Sequence, residues 1–210
     1  LSTSDRPLKL PASRTPTCTK RKFLNTPGNI RSTPNRVCKP RPLKPFTRMA
    51  QHFATVKTPY IEVVDPGLHA LSKKRVSMLN KAAKFKGIEY TVHAPFADIN
   101  IASPSKPLLN ATLKRLKQSI VHASALNAKV WVFHPGIQTG LSPFYPGTDW
   151  KQNIESIRAL HKIAEEHGVK IAVENVPEPY PFVMKTVEDF AKFYKETNLD
   201  IDLVLDVGHA

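Results

Sequence analysis

The sequence predicts an α/β protein built around a parallel sheet. Three observations predict it. Strand-like and helix-like stretches alternate from residue 60 onward, the strand stretches are apolar at consecutive positions, and polar residues able to bind ligands recur where those strands end. Consecutive apolar and β-branched residues suit a strand covered on both faces, whereas a sheet with one wet face alternates apolar and polar residues.

The elements follow in order. Tyr60–Val64 (YIEVV) reads as a strand, and Asp65-Pro66-Gly67 breaks it. Ser72–Lys86 reads as a helix, with Val76, Leu79, Ala82, Ala83 and Phe85 set against a face of lysines at 73, 74, 81, 84 and 86. That lysine run is expected to be a solvated helix face. Glu89–His93 (EYTVH) is the second strand, followed by a loop through Pro107. Leu108–Ala128 is a long helix with a stripe of Leu109, Leu113, Leu116, Ile120 and Val121. Lys129–His134 (KVWVFH) is the third strand, and a Pro- and Gly-rich loop covers Pro135–Gly147. Trp150–His167 is helical, with Gly168 as its stop signal, and Val169–Glu174 (VKIAVE) is the fourth strand. Val187–Glu196 is the last helix and Ile201–Asp206 (IDLVLD) the fifth strand. Five strands separated by four helices admit either a barrel or a doubly wound sheet, and periodicity does not choose between them.

Residues 1–50 are different in kind. They hold eight of the 19 prolines and 12 of the 31 Lys and Arg residues, against one acid, Asp5. Their apolar residues follow no period, so the stretch is expected to be a disordered Pro/Arg-rich tail. It is Arg-rich like an organelle transit peptide, but its prolines oppose an amphipathic helix. Because the chain starts at Leu1, the expectation is that the tail is a fragment end or an artefact upstream of the domain. Most of the net charge of +14 belongs to the tail, since the other 160 residues hold 19 basic and 16 acidic groups. The part expected to fold therefore has no strong electrostatic footprint for a phosphate backbone. Cys18 and Cys38 form no disulfide framework or zinc-finger spacing, and no apolar run reaches membrane-spanning length. A cytoplasmic location is the expectation.

The chemistry lies at the strand ends. His93 closes one strand in VHAP, His134 another in FHPG, Glu174 a third in VENVP, and Asp206 a fourth in LDVGHA, with His209 close behind. In parallel α/β folds the carboxyl ends of the strands face one rim, where ligands bind. Two carboxylates and three imidazoles converging there suit a divalent metal: Zn, Mn or Mg. A single histidine closing a strand is more often structural. An acid directly after VKIAV or IDLVL is costly without a partner, and four such residues at four successive strands favour a site. His52, His69, His122, His161 and His167 lie in helices or the linker and are expected to be solvated.

At these residues the chain resembles the superfamily that joins xylose isomerase-like sugar phosphate isomerases and epimerases with family-2 apurinic endonucleases of the endonuclease IV type. The matching pieces are Tyr60–Asp65 (YIEVVD), His93–Ser103 (HAPFADINIAS), His134-Pro135-Gly136, Glu174–Pro177 (ENVP) and Asp206–Ala210 (DVGHA). The resemblance covers residues 58–210 and implies an incomplete TIM (β/α)8 barrel, about five of its eight βα units, with the visible strands as the second to the sixth. It implies an isomerase or epimerase in which Glu174 and Asp206 bind the metal and Glu174 moves a proton at the carbon beside a carbonyl. His209 would then bind substrate oxygens and His93 line the pocket. The alternative it implies is a zinc endonuclease of DNA base excision repair, with His93, His134, Glu174, Asp206 and His209 all as ligands. The mild charge of the barrel part, the glycine-free loop ENVPEPYP and the turn DVGH favour the isomerase. A third reading is an inactive barrel fragment. With further family ligands lying beyond Ala210, the chain alone is expected to be unstable or inactive.

Overall fold

The computed structural model describes residues 58–209 continuously. Before Thr58 only short strands at Cys18–Thr19, Arg21–Asn25, Asn29–Arg31 and Val37–Cys38 are described, by backbone pairing. They flank the two outer edges of the main sheet, Cys38 beside Ile61 and Arg21–Leu24 antiparallel to Leu203–Asp206. The expected disorder of residues 1–50 otherwise falls outside the described residues, as does His52.

The main sheet has five parallel strands in sequential order: β1 (Tyr60–Val64), β2 (Glu89–His93), β3 (Trp131–Phe133), β4 (Ile171–Glu174) and β5 (Asp202–Asp206). Four helices make the crossovers: α1 (Lys73–Lys86), α2 (Lys106–Ala125), α3 (Thr148–Glu166) and α4 (Val187–Thr197). The result is a half-barrel, an incomplete TIM barrel, and its sequential order excludes the doubly wound sheet, whose strand order reverses. Among the described residues no helix is long and apolar enough to cross a membrane.

Strand alternation divides the side chains into two sets. Ile61, Val63, Tyr90, Val92, Trp131, Phe133, Ile171 and Val173 face the helices and share one large core with Leu79, Leu116, Ile120, Ile157, Leu160 and Phe193. Within it the Trp131 indole donates to Ser119 Oγ at 3.0 Å and the Tyr90 hydroxyl to Leu79 O at 2.9 Å. The opposite residues line the inside of the half-barrel. Val132, Ala172 and Val204 form a separate small cluster there. The register places Val64 beside His93, His93 beside Val132, and Glu174 beside Val204. Every strand-end ligand candidate thus has inner-face parity.

Local chemistry sets the helix limits. Ser72 caps α1 by accepting from Arg75 N, and Gly87 ends it at φ 61°. Thr186 and Asp189 form a capping box on α4. Helix α2 begins at Lys106, two residues before the sequence expectation, because Pro107 is tolerated in a first turn where its missing N–H has no partner to lose. It stops three residues short of Ala128, where Leu126 caps it and Asn127 takes φ 52°. Val121, expected in the apolar stripe, is exposed, while Thr112 and Ser119 are buried instead. The lysines at 73, 74, 81 and 84 are solvated as expected, and the Lys86 side chain is outside the described residues.

Two histidines depart from expectation. His69 and His122 are buried rather than solvated, and His161 and His167 are half-buried. For His122 the setting is a polar knot at the end of β1. Asp65 is fully buried and accepts from Arg115 on α2 at 2.8 and 3.2 Å and from Leu71 N, while Arg115 also donates to Asp65 O at 2.7 Å. His122, two turns along α2 from Arg115, lies within the same electrostatic neighbourhood, and burial pushes its pKa below the ordinary histidine value.

Candidate metal centre

The carboxyl ends of β2 to β5 form one rim, and Glu174 stands at its centre, completely buried. Its Oε2 lies 3.2 Å from His93 Nε2 and 3.4 Å from His134 Nε2, and its Oε1 lies 3.8 Å from His209 Nδ1. Two ligand-capable groups result, His93–His134–Glu174 and Glu174–Asp206–His209, each with its donor atoms within 4.8 Å of one another. All five residues expected at the site come together. Glu174 belongs to both groups, whereas His93 and Asp206 belong to different ones.

The donor set fits a cation. His93 Nδ1 lies 2.8 Å from Ala94 O. A carbonyl only accepts, so Nδ1 donates there and Nε2 is the ring nitrogen turned toward Glu174. Burial pushes the His134 pKa down, keeping that ring neutral despite the bond-forming influence of Glu174. Two imidazole nitrogens therefore stand 3.2 and 3.4 Å from one buried carboxylate oxygen, a set of donor atoms that suits a metal ion. On the other side Asp206 Oδ1 accepts from Gly208 N at 2.7 Å, which fixes the carboxylate within the turn DVGH.

The loops around the rim lock one another, and here the sequence motifs acquire a physical meaning. Asn100 in HAPFADINIAS accepts from Ala102 N and Ile137 N, both at 2.9 Å, and donates to Ile137 O at 2.8 Å. Gly136 in HPG donates to Asn153 Oδ1 at 2.7 Å and accepts from Val183 N at 2.8 Å. A Cβ on Gly136 would stand 2.4 Å from Ala102 Cβ, so only glycine lets these two loops close. Phe96 and Phe182 wall the histidines, with ring centroids 5.7 and 5.9 Å from His134. Sequence reasoning did not single out Asn100, Asn153, Asn175, Phe96 or Phe182, because their partners lie far away in the chain. It also passed over Glu62, a buried acid of β1 in register with Thr91 below His93.

With that geometry in place, comparison with known proteins decides the family. A family model described as the xylose isomerase-like TIM barrel matches residues 53–210. The chain belongs to that family. Among curated relatives it is 31% identical over 150 residues to the uncharacterised protein MJ1311 of Methanocaldococcus jannaschii, covering 71% of this chain and 51% of that protein. It is 26% identical over 158 residues to the D-psicose 3-epimerase of Ruminiclostridium cellulolyticum, covering 71% of this chain and 53% of the relative. Among solved structures it is similar to a D-tagatose 3-epimerase-like protein, with a TM-score of 0.65 and 30% identity over 70% of this chain and 55% of the other. The chain thus spans about half the length of the curated relatives it matches. These xylose isomerase-like neighbours give no support to zinc or to a DNA partner, and the nuclease alternative is not carried forward.

Proposed function

We propose that the protein is a divalent-metal-dependent epimerase or isomerase acting on a sugar or sugar phosphate. The observation that carries this reading is the position of Glu174, a fully buried carboxylate shared by two groups of ligand-capable atoms at the rim of a half-barrel. The epimerase names of two of its relatives support the substrate class.

In this reading Glu174 and Asp206 hold the ion, with His134 and His93 completing the donor set on the β2 side and His209 on the β5 side. When bound, a divalent ion polarises the oxygens of a bound sugar and stabilises the negative charge that develops as a proton leaves the carbon beside the carbonyl. Glu174 takes that proton through a carboxylate oxygen; returning it to the neighbouring carbon isomerises the sugar, whereas epimerisation needs a second acid to protonate the opposite face of the same carbon. His209 and His93 bind sugar hydroxyls. Phe96 and Phe182, packed edge-on against His93 and His134, supply apolar surface beside the sugar.

The test is proton exchange. Chelator-treated full-length protein is supplied with Mn, Mg or Zn in deuterated water together with ketohexoses and their phosphates. The expected result is an epimerised or isomerised product carrying deuterium at the reacting carbon, formed only when the ion is restored. Failure of every sugar and sugar phosphate to take up deuterium under any metal condition would overturn the proposal.

A further inference from the structure

We infer that Asn175 is a positioning residue that sets Asp206 and His209 in register with Glu174, an inference that rests on the metal-dependent reading above. The parallel ladder between β4 and β5 reaches Glu174 opposite Val204, and Asn175 N extends it by donating to Val204 O at 3.1 Å. Beyond that point β4 turns away into Val176-Pro177, and proline has no N–H to give. Asp206 lies one step further along β5, at the rim, where its carbonyl also accepts from His209 N at 3.1 Å.

The Asn175 side chain takes the place of the missing strand. Its Oδ1 accepts from Asp206 N at 2.6 Å and its Nδ2 donates to Asp206 O at 3.1 Å. A carboxamide reproduces both halves of a peptide group, which neither Asp nor Ser does. The main-chain carbonyl of the same residue lies 2.9 Å from His209 Nδ1. Since a carbonyl only accepts, Nδ1 carries a proton there, and this bond fixes how the His209 ring is turned at the rim. One residue thereby ties three site groups together: Glu174 through the peptide bond, Asp206 through its side chain, and His209 through its carbonyl.

The experiment compares three full-length proteins, using Mn²⁺ as the probe and titration calorimetry as the readout. Asn175→Ala is expected to weaken Mn²⁺ binding by about 10- to 100-fold, the usual effect of removing a group that orients ligands. Tyr194→Phe is the structural control, because it removes the bond from Tyr194 Oη to Ile201 O (2.8 Å) beside the opposite end of β5. It is expected to lower the unfolding temperature and leave Mn²⁺ affinity unchanged. If Asn175→Ala does not fold, Asn175→Ser carries the same comparison. Independently, long-range ¹H–¹⁵N correlation spectra of the metal-free wild type are expected to show His209 protonated at Nδ1. Unchanged Mn²⁺ affinity in the Asn175 variants, an equal loss in Tyr194→Phe, or an Nε2-protonated His209 overturns the inference. A wild type that binds no divalent ion overturns the metal reading instead, and the His209 tautomer then decides the inference alone.

Discussion

Replacing Gly136 with alanine tests the claim that the two loops beside the candidate site are locked by shape. The new Cβ would lie 2.4 Å from Ala102 Cβ, 2.7 Å from Ala102 N and 3.1 Å from Ala102 Cα. Carbon atoms pack comfortably at about 3.5–4.0 Å, so the loops must part by about 1 Å or more. No side-chain rotation relieves this, because part of the obstacle is backbone. Parting the loops strains the Asn100 bonds to Ile137 and the Asn153 bond to Gly136. Overpacking of this kind costs about 1–3 kcal/mol, and each lost hydrogen bond adds about 1 kcal/mol. A total of roughly 2–4 kcal/mol corresponds to a fall of about 5–15 °C in the unfolding temperature of a domain this size. Thermal and urea unfolding followed by circular dichroism measure it. Ala102→Gly in the same chain removes the Cβ contact but not the contact with the backbone nitrogen, so it restores only part of the loss. His134 stands two residues before Gly136, so divalent-ion affinity falls in parallel. An unfolding temperature for Gly136→Ala within about 2 °C of wild type would refute the reasoning.

Three further outcomes are expected. Glu174→Gln abolishes divalent-ion binding, because a neutral amide replaces the carboxylate shared by both groups of ligand-capable atoms; unchanged Mn²⁺ affinity in titration calorimetry contradicts this. Arg115→Leu removes the guanidinium from the buried Asp65 and destabilises the protein by about 3–5 kcal/mol, partly recovered by adding Asp65→Asn; a shift in urea midpoint that Asp65→Asn leaves unchanged contradicts the pairing. His122 is held neutral by burial, with Arg115 and Lys73 opposing its proton and Asp65 favouring it. Its folded pKa is below its unfolded value, so the unfolded chain gains the proton first. The associated stability is complete above about pH 6.5 and declines as the pH falls below it. The urea midpoint of wild type should therefore drop more between pH 7.5 and 5.5 than that of His122→Phe, and parallel profiles would count against it.

Much of the fold was legible because local pattern reports local burial. Tyr60–Val64 and Glu89–His93 form strands over the residues that the apolar runs mark, and all four helices lie where the period predicts. Element ends were less legible, as Pro107 shows: the residue that reads as a breaker sits inside the first turn of α2. The site was legible through one rule of chain topology, that parallel strands deliver their carboxyl ends to a common rim, which brings His93, His134, Glu174, Asp206 and His209 together.

What the sequence determined by itself is therefore the alternation of elements, the inner-face parity of the candidate residues at the strand ends and the residue types available for chemistry. Only the tertiary structure decided that Glu174 stands within reach of both groups of ligand-capable atoms, that His122 is buried beside an ion pair joining residues 50 apart in the chain, and that asparagines hold the rim together. The physical reason is range. Periodicity is a property of neighbours along the chain, whereas Asn100 meets Ile137, and Asn175 meets Asp206, only after the sheet has folded.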